Sequence, residues 1–309
     1  MITLTLPAPA KINLFLDVTS RRPDGYHTIS GIMHTVSLCD TVTLTLTPVA
    51  CDALPKTTLT CSNPSIPTDG RNLAIKAAEA FKKETGKWFY DLHIHIEKRI
   101  PAAAGMAGGS TNAAAVLKGL NQIMDTPLNP KELCRLGKAL GADVPFCIVG
   151  GAQITEGVGE RLTPCASLPP CHLVVACAGE GVSTPAAYKK LDELYGHFDG
   201  NDYASKTDAL AAQLDALKKG DLCGVGKNAY NIFESAVLPT HSKAGYIKNI
   251  LASSGAVFAM MSGSGPSVFG VFENEKDAQA AAEMLLNQDI PAWACEPMNK
   301  GTSLKDLSL

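Results

Sequence analysis

Pro101-Ala102-Ala103-Ala104-Gly105-Met106-Ala107-Gly108-Gly109-Ser110-Thr111-Asn112-Ala113-Ala114-Ala115 is built almost wholly of small residues and then turns into an apolar helical pattern. So small a stretch lets a ligand come close to the backbone. A helix that starts at its end presents unpaired N–H groups and the positive end of its dipole. That combination suits an anion, phosphate first of all. The same stretch would also serve as a plain packing device between a strand and a helix, since glycine-rich turns are common in α/β proteins. Its order, Gly-x-x-Gly-Gly-Ser, is neither the P-loop nor the dinucleotide fingerprint, and it contains no lysine. Charge compensation for a triphosphate then has to come from backbone amides, from Ser110 and Thr111, from a divalent metal, and from lysines elsewhere such as Lys98.

Working outward, Leu92, Ile94 and Ile96 alternate with His93 and His95, so a strand leads into the loop and a helix over 109–124 leads out of it. Strand, loop, helix is the order a phosphate cradle needs. Upstream, the spacing of Leu73, Ala77, Ala80 and Phe81 predicts a helix over 72–83 that Gly86 stops. Downstream, after breaks at Pro127 and Pro130, a helix is expected over 131–140, ended by Gly141-Ala142-Asp143-Val144-Pro145. Nearer the start, strands are expected over 2–6 and 10–18, the second placing Lys11 and Asn13 on one face. Arg22-Pro23-Asp24-Gly25 makes a turn that returns at Tyr26 and His27. Residues 42–47 alternate as a strand, while 51–69 reads as connecting structure.

Beyond Pro164 the pattern changes, which puts a boundary near residue 165 and divides the chain into 1–164 and 165–309. Strands are expected over 172–178, 256–261, 267–272 and 292–296, and helices over 184–194, 201–219, 242–253 and 275–286. Apart from the inserted helices this is β-α-β-β-α-β, the ferredoxin-like arrangement, so the fold class is α+β. Ser262-Gly263-Ser264-Gly265-Pro266 joins two of these strands, either as a plain hairpin or as a second approach to the same phosphates.

A length of 309 residues with 46% hydrophobic composition supports one large or two medium domains. A net charge of −3, with scattered lysines and arginines, offers no field for nucleic acid. No apolar run reaches membrane-span length and no charged leader precedes one, so a soluble cytoplasmic protein is expected. The 10 cysteines contain no Cys-x-x-Cys pair and read as ordinary thiols of a reducing compartment.

Three groups of residues could carry chemistry besides the loop. Lys11, Asn13 and Asp143 could form a charged centre in which a lysine keeps a carboxylate ready to accept a hydroxyl proton. Taken alone, Lys11 and Asp143 fit a surface ion pair or a helix cap as well, because spacing does not bring them together. Tyr26, His27 and Tyr188 are suited to stacking on a planar ring, though each alone could be a packing residue. His93 and His95 share a strand face, but no further ligand completes a zinc set, and a solvated face is the simpler reading.

Pro7-Ala8-Pro9-Ala10-Lys11-Ile12-Asn13-Leu14, the loop at 101–115, and Met261-Ser262-Gly263-Ser264-Gly265-Pro266 resemble, in order, the three motifs of the GHMP small-molecule kinases. Arg22-Pro23-Asp24-Gly25-Tyr26-His27 and Gly141-Ala142-Asp143-Val144-Pro145 are similar to signatures of the branch whose acceptor carries a cytidine diphosphate. The resemblance spans nearly the whole chain. It implies an N-terminal domain like the second domain of ribosomal protein S5, a ferredoxin-like C-terminal domain, and ATP in the cleft between them. The activity implied is transfer of the γ-phosphate of ATP, with Mg²⁺, to the 2-hydroxyl of a cytidine-diphosphate-linked methylerythritol on the non-mevalonate route to isoprenoids.

By the same resemblance Lys11 and Asp143 are catalytic, and Asn13, Tyr26, His27 and Tyr188 bind the substrate. The two tyrosines sandwich the cytosine and His27 reads its edge. Pro101, Ala102, Ala103, Ala104, Gly105, Met106, Ala107, Gly108, Gly109, Ser110 and Thr111 bind ATP, with Asn72 and Lys98 lining the nucleoside pocket. Ser110 is the first choice of Mg²⁺ ligand. Met106 and Thr111 stand where many relatives have leucine and a second serine, which keeps the volume and the hydroxyl. Alternatives are another acceptor, such as homoserine, mevalonate or a sugar, and a ligand sensor that has lost turnover. A monomer or a homodimer would serve either, with no nucleic acid and no membrane as partner.

Overall fold

The strands expected over 2–6 and 10–18 are one strand that runs through Pro7 and Pro9. In the computed structural model, which describes residues 1–50, 54–86, 88–124, 128–179, 181–198 and 203–299, β1 runs unbroken over Ile2–Arg21 and returns as β2, His27–Pro48. Among the described strands only β2 pairs with β1 around the prolines, so their missing N–H groups break no second ladder. The β1–β2 register shifts between Pro9 and Lys11, between Asn13 and Phe15, and between Val18 and Ser20. Such irregularities re-aim side chains. Here the Lys11 amide donates to the Met106 carbonyl at 3.2 Å, docking the glycine-rich loop on the edge of β1.

The chain continues through β3 (Thr57–Cys61), α1 (Leu73–Thr85), β4 (Tyr90–Glu97), α2 (Gly108–Ile123), α3 (Pro130–Leu140), α4 (Val144–Val149), β5 (Ala152–Gly157) and β6 (Arg161–Pro164). Then come β7 (His172–Cys177), α5 (Thr184–Tyr195), α6 (Thr207–Lys219), α7 (Leu222–Lys227), β8 (Tyr230–Asn231), α8 (Phe233–Val237), α9 (Ser242–Ser253), β9 (Phe258–Met261), β10 (Ser267–Phe272), α10 (Glu275–Leu286) and β11 (Ala292–Cys295).

Some expectations need correction. The connection at 51–69 holds β3, the helix expected from residue 201 begins at Thr207, and the strand expected from residue 256 begins at Phe258. Residues 51–53, the helix breaker Pro127, and Asn201 and Asp202 lie outside the described residues. Among the described residues every cysteine is a free thiol, and no helix is long and apolar enough to cross a membrane.

A seven-stranded sheet runs β3-β4-β2-β1-β8, with β5 also on β2 and β6 on β5. The length of β2 makes this possible, because its first half pairs with β5 and its second half with β4. Helices α1 and α2 bury Ala77, Phe81, Val116 and Leu120 against Leu44, Leu46 and Ile94. The second sheet has four strands in the order β11-β7-β10-β9, that is fourth, first, third, second, as the ferredoxin-like reading requires. Its two central strands, β7 and β10, are buried on both faces. Val174 and Ala176 meet Ile247, Leu251 and Ala281 of α9 and α10, whereas Leu173 and Val175 meet Ile12, Leu14 and Ile32 of the first sheet. Two-sided burial explains why β7 reads as a continuous apolar run.

His34 ties the two parts further. Its Nδ1 donates to the Thr35 carbonyl at 2.8 Å, and its Nε2 accepts from the Leu168 amide at 3.2 Å. That bonding fits the neutral ring, and burial lowers its pKa from 6.5 to about 4. Between those values the unfolded chain takes up a proton that the folded chain refuses, so stability falls as pH falls. From pH 7 to pH 5 this linkage removes about 2 kcal/mol. Urea titrations of wild type and His34→Asn at both pH values should show that part of the slope vanish in the variant.

Candidate active site

The loop that follows β4 is held from beneath by a buried carboxylate that sequence reasoning missed. Asp40 Oδ1 accepts from the Arg99 and Ile100 amides, both at 2.8 Å. Its Oδ2 accepts from Asn112 Nδ2 at 2.9 Å and pairs with the Lys98 ammonium. Both ends of the loop are thereby fixed to β2. Lys98 Nζ lies so close beneath Gly108 that a Cβ there would come within 3.2 Å of it.

The loop takes left-handed backbone at Ala103 (φ 50°), Gly105 (φ 76°) and Ala107 (φ 59°). Ala107 is the N-cap of α2 and supplies no side-chain cap, and the first turn holds no acidic residue. The opening amides of α2 are therefore left for an anion. Gly105 is where the two glycine turns meet, because a Cβ on it would lie 2.0 Å from the Ser262 carbonyl oxygen. Gly105→Ala must displace one turn or the other and pay for φ near +76° as well, a cost of about 2–4 kcal/mol. Urea denaturation would show the loss, and unaltered stability would contradict the close approach.

Lys11 sits in this junction, 3% exposed. Its ammonium donates to Asn13 Oδ1 at 2.6 Å and to the Gly105 carbonyl at 2.7 Å, and Gly263 closes over it. An ammonium has three donors, so one remains for a ligand. Burial lowers the Lys11 pKa, with the negative charge of Asp143 opposing that shift. With its oxygen committed to Lys11, Asn13 Nδ2 is buried without a partner. Such a donor costs about 1–3 kcal/mol until it finds an acceptor. Asp143 precedes α4 and makes no cap bond to it, so its carboxylate is not consumed by the helix.

These groups line a cleft of about 940 Å³ between the two sheets, together with Gly105, Ala107, Gly108, Gly109, Ser110, Gly263 and Ser264. That size suits a nucleotide-sized ligand. Thr184 and Ser264 hydroxyls meet at 2.8 Å across it, joining α5 to the second glycine turn.

The far end of the cleft is aromatic. Tyr26 is 66% exposed at the tip of the β1–β2 hairpin, and the His27 ring stacks on Tyr188 with centroids 4.6 Å apart and planes at 17°. Burial and the charge of Asp143 both push the Tyr188 phenol up.

Lys11, Asn13, Tyr26, His27, Ala103, Ala104, Gly105, Ala107, Gly108, Gly109, Ser110, Asp143 and Tyr188 thus line one cavity. Asn72, Lys98, Pro101, Ala102, Met106 and Thr111 are not part of it. The Asn72 amide oxygen caps α1 by accepting from the Ala74 N–H at 2.9 Å, and the Lys98 ammonium pairs with Asp40 and donates to Asn112 Oδ1 at 3.2 Å. His93 and His95 hydrogen-bond Thr58 and Thr60 on the outer face of β3 and β4. Sequence reasoning also missed Asp192, which pairs with His27. It stands four residues after Tyr188 on α5, and that helical spacing was the available signal.

Comparison with known proteins points in one direction. Residues 72–151 match the GHMP kinases N-terminal domain and residues 213–291 the GHMP kinases C-terminal domain. The chain is 42% identical to 4-diphosphocytidyl-2-C-methyl-D-erythritol kinase of Exiguobacterium sibiricum, over 90% of this chain and 92% of that protein. It is 39% identical to the kinase of the same name from Gloeobacter violaceus, over 99% and 98%. A crystal structure of 4-(cytidine 5'-diphospho)-2C-methyl-D-erythritol kinase superposes with TM-score 0.75 at 34% identity, covering 95% of this chain and 99% of that one. Homoserine kinase from Cytophaga hutchinsonii, at 18% identity and TM-score 0.72 over 97% and 96%, shares the fold.

Proposed function

The chain belongs to the GHMP kinases, among the 4-diphosphocytidyl-2-C-methyl-D-erythritol kinases, and on that premise we propose that it moves the γ-phosphate of ATP to the 2-hydroxyl of that diphosphocytidyl substrate, on the non-mevalonate route to isoprenoids. The observation that supports this best is the convergence of Lys11, Asn13 and Asp143, from segments far apart in sequence, on the cavity that the uncapped start of α2 also lines.

In this reading the α2 amides and the glycine-rich loop hold the phosphates, and Asp143 orients the acceptor hydroxyl and takes its proton. The hydroxyl oxygen bonds to the γ-phosphorus as the bond to the β-phosphate oxygen breaks and ADP leaves. Lys11 faces the charge that spreads over the transferring group in a loose transition state. Asn13 Nδ2 donates to the substrate, which removes its unpaired state. Tyr26 and Tyr188 flank the cytosine and His27 meets its edge.

Mg²⁺ fits the site as an ion carried by the nucleotide. Among the described residues no three His, Cys, Asp or Glu side chains form a metal cage, and Mg²⁺ commonly takes one or two protein oxygens together with phosphates and water. Ser110, whose Oγ would lie 4.0 Å from a Cβ on Gly141 and so faces the Asp143 segment, would supply one. When bound, the ion would neutralise charge on the phosphates. Residues 1–164 would carry the nucleotide and the catalytic pair, residues 165–309 would complete the cleft, and the protein would work in the cytoplasm as a monomer or homodimer.

ADP release tests this reading, with the diphosphocytidyl substrate run beside homoserine, mevalonate and galactose. Turnover confined to the first is expected. Turnover of another acceptor alone would replace the substrate assignment, and none with any would favour a ligand sensor.

A further inference from the structure

Asp192 has no part in the reaction above, yet it is a buried carboxylate lining the same cavity. Its Oδ1 lies 2.7 Å from His27 Nε2, and its Oδ2 lies 3.7 Å from an Arg21 guanidinium nitrogen. His27 is fixed on other sides too, with Tyr188 stacked on its ring and Phe198 set edge-on at 5.8 Å and 85°. The imidazole is therefore held in one orientation by elements from both parts of the chain, the β1–β2 hairpin and α5.

A carboxylate only accepts, so the proton of this contact sits on Nε2. In the neutral ring that leaves Nδ1 as an acceptor. We propose that Asp192 is a positioning residue for nucleobase choice: it holds His27 in the tautomer whose Nδ1 accepts a hydrogen bond, which selects a pyrimidine bearing an exocyclic amino group over one bearing a carbonyl there. Cytosine offers an N–H donor to Nδ1. Uracil offers an oxygen, so two lone pairs face each other in a desolvated place. The inference rests on Tyr26, His27 and Tyr188 forming the base subsite.

The test compares wild type, Asp192→Ala and Asp192→Asn on the cytidine substrate and its uridine analogue, with ¹⁵N spectra of the histidine rings assigned through His27→Asn. Wild type should prefer cytidine, and His27 should carry its proton on Nε2 with Nδ1 bare. Asp192→Ala should raise KM for the cytidine substrate about tenfold with kcat changed less than threefold, cut the cytidine preference at least tenfold, and lose the single-tautomer spectrum. Asp192→Asn, whose amide oxygen can still accept from Nε2–H, should recover part of the preference.

An equal KM rise for both bases, or an unaltered preference in a folded Asp192→Ala protein, overturns the positioning role. So does a His27 ring that is cationic or protonated on Nδ1. These outcomes leave the kinase reading standing, because wild type still turns over the cytidine substrate. A wild type that ignores that substrate removes the base subsite, and the inference with it.

Discussion

Asp143→Asn is expected to lower kcat by about 10³-fold, some 4 kcal/mol of barrier, while leaving the fold intact. The asymmetry follows from what Asp143 touches. Its carboxylate caps no helix, so the amide replaces no structural bond. It lines the cleft with Lys11 and Asn13, where a hydroxyl has to give up a proton as its oxygen becomes phosphorylated. An amide of the same size can still orient that hydroxyl but takes no proton. Steady-state ADP release and thermal unfolding, measured on one preparation, separate the two effects. Full turnover in the variant would remove Asp143 from the mechanism, and a large fall in Tm would show it to be structural.

Lys11→Met should cost about 10²–10³-fold in kcat/KM, the scale on which losing one preorganised charge is felt. Lys11→Arg should not restore activity, because Gly105 and Gly263 close on the ammonium and leave no room for a planar fork. The pH behaviour follows from burial. The folded pKa of Lys11 lies below the ordinary 10.5, so the ammonium is lost at a lower pH than an exposed lysine would lose it. Activity that needs the charge should therefore fall on an alkaline limb beginning below 10.5. In that window the unfolded chain holds more protons than the folded one, so stability should rise with pH as activity declines. Lys11→Met should lack both trends. A pH–rate profile that is the same in wild type and variant would place the alkaline group elsewhere.

Long periodic segments were legible in the sequence because each carries its own signal. The helix expected over 242–253 is α9 to the residue, and the β-α-β-β-α-β order of the second part matches its sheet. Pattern reading failed where an element is too short to show a period. The six residues of α4 and the two of β8 are set by what they pack on, β8 by pairing with Phe15 and Leu16 of β1. The strands expected over 2–6 and 10–18 prove to be one, since the stretch of β1 around Pro7 and Pro9 pairs with β2 alone among the described strands and tolerates them.

At the site, residue types and motif order brought Lys11, Asn13, Asp143 and the glycine-rich loop into view, but distances between remote segments are not written in spacing. The contact of Gly105 with Ser262 and the Asp40 anchor under Lys98 emerge only once the two sheets are packed. Asn72 and Lys98 lie off the cavity lining, with their side chains bonded to Ala74 and Pro67 and to Asp40 and Asn112, an arrangement that spacing does not show.

In the proposed reaction one cavity places an acceptor hydroxyl against Lys11 and Asp143 while the start of α2 holds the phosphates. Its most direct test is a crystal structure with the diphosphocytidyl substrate and a non-hydrolysable ATP analogue, measuring the distances from the 2-hydroxyl oxygen to Asp143 and to Lys11 Nζ. Both should lie within hydrogen-bond reach, with the γ-phosphate in line and the β-phosphate on the amides of 108–110. A hydroxyl remote from Asp143, or phosphates bound away from α2, would contradict it.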